Sequence, residues 1–204
     1  DEYGETLITE TLTWTLRNNN NSYFIDLEWE GLASKDITIE EHEYSPLFLR
    51  MPWKEDVNTE VINGVRNKNQ AAEGKRAVWL DIGMQLNDRD DMVHVAIFDH
   101  GENINHPQPW RVDNEFGVGP APSRMGSWDI KENETASLKY QLVVYTDDFD
   151  DIRLTEQWSD FAQGEFWKKR NFFLKIKISK NCKKHRLGAD YKYNISNCGI
   201  THSN

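Results

Sequence analysis

The sequence predicts an all-β protein, folded as an antiparallel β-sandwich. Short runs in which apolar and polar residues alternate recur along the chain, and turn residues separate them. The first two runs, Thr6–Leu16 and Tyr23–Trp29, flank an Asn-rich turn and are rich in Thr and aromatic residues, which suit a pleated surface. We therefore expect these two runs to pair as an antiparallel hairpin.

Two further strand-like runs lie in the middle of the chain, on either side of a polar turn at residues 87–91. The first run is Ala77–Met84 and the second is Met92–His100. In the second run one face carries Val93, Val95 and Ile97, and the opposite face carries His94, Ala96, Phe98 and His100. The aliphatic face is expected to be core. The face with the histidines is expected to line a groove or to pack under a second layer.

The remaining elements follow from the same patterns. Further strands are predicted at residues 36–42, 46–52, 127–130 and 136–145. Lys54–Lys75 is Asn-rich and is predicted to be a long excursion, either a functional loop or a mobile one. A single short helix is predicted over Asp147–Ala162, because apolar residues recur there at near-helical spacing, with Asp147 or Asp148 as its N-cap.

Length and charge bound the domain organisation. A chain of 204 residues is long enough for one sizeable domain with its own core. Residues 165–204 carry ten basic and two acidic residues, whereas the rest carries 14 basic and 32 acidic residues. We therefore expect a sandwich domain at residues 1–164 and a basic tail at residues 165–204. The tail is a basic edge strand, a patch that binds an anionic surface or, as we favour, a terminus with no selected role that can be removed with little loss of stability.

The acidic body and the absence of long apolar runs exclude two classes of partner. Phosphate contacts need Lys and Arg, so nucleic acid is not an expected partner. No apolar run approaches the roughly 20 residues that span a bilayer, so no membrane span is expected. Cys182 and Cys198 would form a disulfide in an oxidising compartment or remain free thiols otherwise. The sequence indicates neither the compartment nor the oligomeric state.

Three segments of the central region together resemble a known family. They are Gly74-Lys-Arg-Ala-Val-Trp79, Val95-Ala-Ile-Phe-Asp-His100 and Asn105-His-Pro-Gln-Pro-Trp-Arg111. This block is similar to the hallmark of the largely uncharacterised family labelled "methane oxygenase PmoA", over about residues 11–161. The resemblance implies a carbohydrate-protein sandwich of the galactose-mutarotase type. It also implies an N-terminal His-rich region that this chain begins too late to include, so the chain is expected to be a fragment of a longer family member.

The candidate catalytic residues are two histidines near one carboxylate. His100 and His106 lie within eight residues of chain that also hold Asp99. Imidazole titrates near neutrality, so these histidines could act as acid and base on a sugar. They could also bind a metal, but the spacing matches no zinc signature, so neither a metal nor another cofactor is predicted. The alternative is structural, with Asp99 capping the turn and His100 satisfied within the loop.

Other side chains extend the candidate site. Glu41 and His42 are a second candidate for proton transfer, although a solvated charge run explains them as well. Arg50 and Arg76 could hold a carboxylate or a pair of hydroxyl groups, against the alternative of exposed, unpaired arginines, and Arg111 is a further candidate for substrate binding. Trp79 and Trp110, with Trp128, are candidates for a sugar-stacking surface, against the alternative of core packing.

Together these residues predict a carbohydrate-binding or carbohydrate-processing domain that takes a sugar or another small molecule. The predicted groove is lined by His100, His106, Trp110, Arg50 and His42. The alternative is a non-catalytic structural or binding module. An enzyme should place an ionisable pair within hydrogen-bonding distance in a concave pocket, whereas a module should show a flat aromatic face without that pair.

Overall fold

The fold is dominated by one large antiparallel sheet. The structure, a computed structural model, describes residues 6–19, 21–44, 46–86, 89–164 and 174–183. Within these residues a seven-stranded sheet is accompanied by two two-stranded sheets and one α-helix. The prediction of an all-β, sandwich-like antiparallel fold is confirmed.

The strands follow one another along the chain with two short 3₁₀ helices between them, at Asn69–Ala72 and Pro122–Met125. The first six strands are β1 (Thr6–Asn19), β2 (Ser22–Ala33), β3 (Ile37–Ile39), β4 (Thr59–Asn63), β5 (Trp79–Gln85) and β6 (Met92–Asp99). The others are β7 (Trp110–Val112), β8 (Val118–Pro120), β9 (Trp128–Ile130), β10 (Thr135–Tyr145) and β11 (Leu174–Lys183), with helix α1 (Asp151–Ala162) before β11. The large sheet has the order β11-β1-β2-β10-β6-β5-β4, while β3 pairs with β9 and β7 pairs with β8.

The N-terminal hairpin forms as predicted. Strands β1 and β2 pair antiparallel from Asn19 opposite Ser22 to Ile8 opposite Ala33. The alternation places Arg17 and Asp26 on one face, where they form a buried ion pair, and Gln141 of β10 donates to Asp26 at 2.5 Å. Burial raises the pKa of Asp26, and the hydrogen bonds from Gln141 and Arg17 oppose that rise.

Both faces of the large sheet are covered at its centre. On one face Val95, Ile97 and Leu142 pack against Trp110 and Val118 from the segments that carry β7 and β8. On the other face the core consists of sheet residues and two residues of α1: Phe24, Trp79, Ala96, Phe98, Val143, Tyr145, Leu154 and Phe161. The histidine-bearing face of β6 therefore packs under a second layer, and α1 forms that layer.

The helix ends where the sequence predicts but begins later. Asp150 is the N-cap, and its carboxylate accepts hydrogen bonds from the backbone N–H groups of Ile152 at 3.0 Å and Arg153 at 3.1 Å. The predicted caps Asp147 and Asp148 are wrong. Asp147 instead binds the Arg153 guanidinium at 3.1 Å, so one acidic cluster supplies both the cap and an ion pair for the first turn.

Several smaller elements differ from the prediction because tertiary pairing decides them. Residues 46–52 form no strand beyond a single bridge between Leu49 and Val118. The strand predicted at 36–42 contains only Ile37–Ile39. Conversely, the Lys54–Lys75 excursion contains β4, whose Val61, Ile62 and Asn63 are buried. Alternation over so few residues does not distinguish a strand from a loop.

The C-terminal segment joins the sheet in part. Residues Leu174–Lys183 form the edge strand β11, with Leu174 opposite Leu16 and Ile178 opposite Leu12 on β1. The alternative of a basic edge strand is therefore correct for these residues. The boundary at residue 164 and the dispensability of the tail stay predictions. Cys198 lies outside the described residues, so the state of the cysteines also stays open. Among the described helices none is long and apolar enough to cross a membrane.

Candidate functional site

Asp99, the last residue of β6, organises the loop that follows it. Its side chain is fully buried. One carboxylate oxygen accepts hydrogen bonds from His106 Nδ1 and from the backbone N–H of Gln108, both at 2.8 Å. The other oxygen accepts one from Asn103 Nδ2 at 2.8 Å. The buried carboxylate is thus satisfied by three donors of one loop.

The loop that carries His106 is tied to the rest of the domain. Arg76 donates to the backbone carbonyls of Pro107 at 2.8 Å and His106 at 3.2 Å. Asn105 adopts a positive φ of 60° and donates from its side chain to the carbonyl of Pro122 at 2.9 Å. The His106–Pro107 peptide bond is cis. Arg76 therefore acts as a clamp on this loop, and the His106 backbone is held from two sides.

His106 presents one ring nitrogen that is not used by the loop. In the neutral imidazole, the hydrogen bond to Asp99 requires the proton on Nδ1, so the Nε2 lone pair is available. Among the described residues nothing bonds to Nε2, and the side chain is 19 % exposed. The ring lies parallel to that of Trp158 on α1, with centroids 6.1 Å apart and 5° between the planes. Trp158 in turn donates from Nε1 to the backbone carbonyl of Asp99 at 2.8 Å.

His100 lies close to His106 but has a different environment. It is buried, its Nδ1 accepts from the backbone N–H of Glu102 at 3.2 Å, and its ring meets Phe161 edge-on at 5.1 Å. Burial lowers the pKa of His100, and the positive charge of Lys139 lowers that pKa further. His100 is therefore placed as a packing residue beneath the loop.

The two tryptophans expected to bind substrate lie in the core. Trp110 has no exposed surface and donates from Nε1 to the Ala77 carbonyl at 2.9 Å. Trp79 is 1 % exposed and donates from Nε1 to Thr155 Oγ1 at 3.1 Å. Trp110 does not form the wall of a groove beside His106, and core packing, the alternative, accounts for both rings. Trp128 is half-buried and bonds to Ser123.

The remaining predicted site residues belong to other clusters. Arg111 binds Glu73 at 2.7 Å, and Arg124 binds the same carboxylate oxygen at 2.6 Å. Although partial burial acts in the opposite direction, the hydrogen bonds from Arg124, Val112 and Arg111 lower the pKa of Glu73.

Three further predicted residues are exposed at the surface. Arg50 pairs with Asp113 at 2.5 Å and with Glu115. His42 is exposed beside Tyr44, with ring centroids 5.0 Å apart, and Glu41 is exposed as well. Within the described part of the chain, no hydrogen bond, ion pair or ring contact joins Glu41, His42, Arg50 or Arg111 to the Asp99–His106 pair. The predicted groove is therefore not assembled from these residues.

A second His–Asp pair, which the sequence did not indicate, lies between β5 and β6. His94 Nδ1 is 2.8 Å from Asp81 Oδ2, and the Tyr145 hydroxyl donates to Asp81 Oδ1 at 2.9 Å. Asp81 lies opposite Ala96, and His94 opposite Gly83, so the two side chains meet diagonally. Only the register of the two strands reveals this contact.

Comparison with known proteins gives one match. A family model described as "Family of unknown function (DUF6807)" matches residues 1–159. Neither a curated protein nor a solved structure matches the chain. The resemblance to the methane oxygenase PmoA family is therefore wrong, and the expectations that rested on it, including a missing His-rich region, lose their basis. The chain belongs to the DUF6807 family of unknown function.

Proposed function

We propose that this protein is a carbohydrate-processing domain in which His106 transfers a proton to or from a bound sugar. The observation that carries the proposal is the hydrogen bond of 2.8 Å between His106 Nδ1 and the fully buried carboxylate of Asp99. A partly exposed imidazole oriented by a buried carboxylate is an arrangement found in general acid–base catalysis.

The chemistry follows from the roles of the two side chains. Asp99 fixes the tautomer of His106, so that Nε2 is the atom that accepts a proton. Once protonated, the imidazolium is stabilised by the Asp99 carboxylate and can return the proton as an acid. A positioned general base of this kind contributes roughly 10²–10⁴-fold to a rate.

A sugar is the substrate class that the surroundings of His106 favour. Trp158 is half-buried and its ring is parallel to the imidazole. An aromatic ring beside a proton-transfer group suits a pyranose, whose C–H face stacks on the ring while its hydroxyl groups reach the imidazole. Trp158 thus takes the role that the sequence had suggested for Trp110.

A binding module without chemistry is the second candidate, and one observation favours it. Within the described residues the only ionisable group hydrogen-bonded to His106 is Asp99, which is buried beneath it. His100, the expected partner in proton transfer, is packed against Phe161. The site would then bind a sugar with His106 and Trp158 but lack a second group for catalysis.

Two measurements on the whole chain test the proposal. Saturation-transfer NMR with D-galactose, D-fructose and D-galacturonate measures binding. Uptake of deuterium from D₂O at carbon positions of the same sugars measures proton transfer. We expect both signals with the native protein, and we expect His106→Gln to abolish deuterium uptake.

His42→Gln is the matched control, because His42 is exposed and makes no contact with Asp99. It should leave both signals unchanged. Binding without deuterium uptake would support the binding module, and the absence of binding to all three sugars would refute the carbohydrate proposal.

A further inference from the structure

A pocket lies on the helix-covered side of the sheet, beside β4, β5 and β6. It has a volume of about 330 Å³ and is bordered by the segment that joins β10 to α1. Six carboxylate side chains line it: Glu60, Asp81, Asp90, Asp91, Asp147 and Asp148. Of the described residues that line the pocket, none is Lys or Arg. The pocket therefore attracts a positively charged ligand.

The base of the pocket is the His94–Asp81 pair. His94 is 7 % exposed and lies flat against the ring of Tyr145. Asp81 accepts a hydrogen bond from Tyr145 and lies 2.8 Å from His94 Nδ1, so in the neutral imidazole the proton lies on Nδ1 and Nε2 is an acceptor. Nε2 has no partner among the described residues. A nearly buried side chain that lines the pocket thus holds an unused acceptor.

The backbone beneath His94 makes room for this placement. An added Cβ at Gly83 would lie 2.6 Å from His94 Cε1 and 2.8 Å from Nδ1. Both distances are shorter than a van der Waals contact, so the ring could not stay where it is over an alanine. The glycine therefore allows the imidazole to lie close against strand β5, where it lines the pocket.

Several of the lining carboxylates are already paired. Glu60 binds Lys68 at 2.7 Å, Asp91 binds Arg89 at 2.6 Å, and Asp147 binds Arg153 at 3.1 Å. By contrast, Asp90 and Asp148 are exposed, and their side chains have no partner within the described part of the chain. These two carboxylates are therefore available to a ligand.

The apolar part of the lining indicates what kind of cation fits. Ile62, Met92 and Phe149 line the pocket together with the carboxylates. An aromatic face next to carboxylates favours an alkylammonium group with an aliphatic chain. Among the described residues no three His, Cys, Asp or Glu side chains come together as a metal site, so the lining fits an organic cation better than a metal ion.

We propose that this pocket binds a primary ammonium group carried on a short aliphatic chain. His94 Nε2 accepts one of the three N–H bonds of the ammonium, Asp90 and Asp148 balance its charge, and Ile62, Met92 and Phe149 contact its methylene groups. The site is separate from the proposed His106 site, and the proposal does not depend on the sugar-processing function.

Isothermal titration calorimetry of the whole chain with putrescine tests this proposal. The neutral diol 1,4-butanediol has the same chain length without the charge and should not bind. We expect the double variant Asp90→Asn/Asp148→Asn to weaken putrescine binding at least about tenfold. We expect Gly83→Ala to weaken binding as well, because it displaces His94. Nα-acetyl-lysine amide carries the same ammonium group on a capped lysine that mimics a lysine in a peptide. Its affinity relative to that of putrescine shows whether the pocket prefers a free amine or a lysine side chain.

The matched control is Glu132→Gln/Glu134→Gln, which also removes two negative charges, but from residues just before the start of β10. The pocket borders the far end of that strand, and the 11 residues of β10 place the control roughly 30 Å away. This variant should bind putrescine as the native protein does. Equal weakening by the control would show attraction to the acidic surface in general and would overturn the proposal. No measurable binding of putrescine or of the lysine amide at low salt would also overturn it.

Discussion

The ring of His94 stacks on the ring of Tyr145 with their centroids 4.8 Å apart and 13° between their planes, while both side chains bond to Asp81. Tyr145 is also covered by the Arg153 guanidinium, 4.8 Å from the ring centroid. Three elements, β5, β6 and β10, meet in this contact. The cluster therefore joins the strands of the sheet to the first turn of α1.

Tyr145→Phe should lower the free energy of unfolding by about 1–3 kcal/mol, because one oxygen of the buried Asp81 carboxylate loses its donor. Urea unfolding of the variant and the native protein measures this difference. Tyr23→Phe, at an exposed ring, is the control and should have no measurable effect. An unchanged urea midpoint for Tyr145→Phe would show that water replaces the hydroxyl.

Asp99→Asn should destabilise the protein and alter His106. In the variant an amide NH₂ group, which cannot accept a hydrogen bond, replaces one of the two carboxylate oxygens. At one position this group faces the donor Asn103 Nδ2, and at the other it faces the donors His106 Nδ1 and Gln108 N–H. The loss of one charge-assisted hydrogen bond costs about 1.5–3 kcal/mol. Urea unfolding measures this loss, and long-range ¹H–¹⁵N NMR should show that the His106 tautomer is no longer fixed. An unchanged tautomer would mean that Asp99 does not orient the imidazole.

Trp110→Ala should lower the free energy of unfolding by about 3–5 kcal/mol, the usual cost of removing a buried Trp ring. Thermal unfolding followed by circular dichroism measures the loss. Trp53→Ala, at a half-buried ring, is the comparison and should cost much less. A Trp110→Ala variant of native stability would contradict the assignment of this ring to the core.

Stability should fall as the pH is lowered through the range in which histidine titrates. Burial and then Lys139 lower the pKa of His100 in the folded protein, whereas in the unfolded chain the pKa is about 6.5. Below that value the unfolded state binds a proton that the folded state resists, so the contribution of His100 to stability is lost as pH falls. Urea unfolding at neutral and mildly acidic pH should show a smaller loss for His100→Gln than for the native protein. An equal loss in the two proteins would assign the pH dependence to other groups.

The sequence predicted those parts of the fold that local patterns determine. The β1–β2 hairpin follows from alternation on both sides of a polar turn, and the end of α1 follows from helical spacing. Strand β4 could not be predicted, because the pairing of Val61 with Ile82, across a long connection, is what makes that segment a strand. Burial of Trp110 likewise depends on the Ala77 carbonyl far away in the chain.

In the candidate site, too, contacts between residues close in the chain could be predicted, whereas contacts between distant residues could not. Asp99 and His106 are seven residues apart within one loop, so their proximity could be expected from the sequence. Trp158 reaches the same place from α1, 52 residues after His106, and only the packing of the helix on the sheet brings the two rings together. The Asp81–His94 contact depends on how many residues the turn between β5 and β6 takes up, which periodicity does not determine.

The position of β10 in the sheet has a consequence for how the protein is made. This strand lies between β2 and β6, although it is synthesised after both. The hairpin β1–β2 and the three strands β4, β5 and β6 therefore leave the ribosome as two separate units that no strand yet connects. β10 also supplies Tyr145 to Asp81 and the carbonyl of Lys139 to Asn103. Both His–Asp clusters consequently become complete in one late step, and a nascent chain that stops before residue 135 contains neither in its finished form.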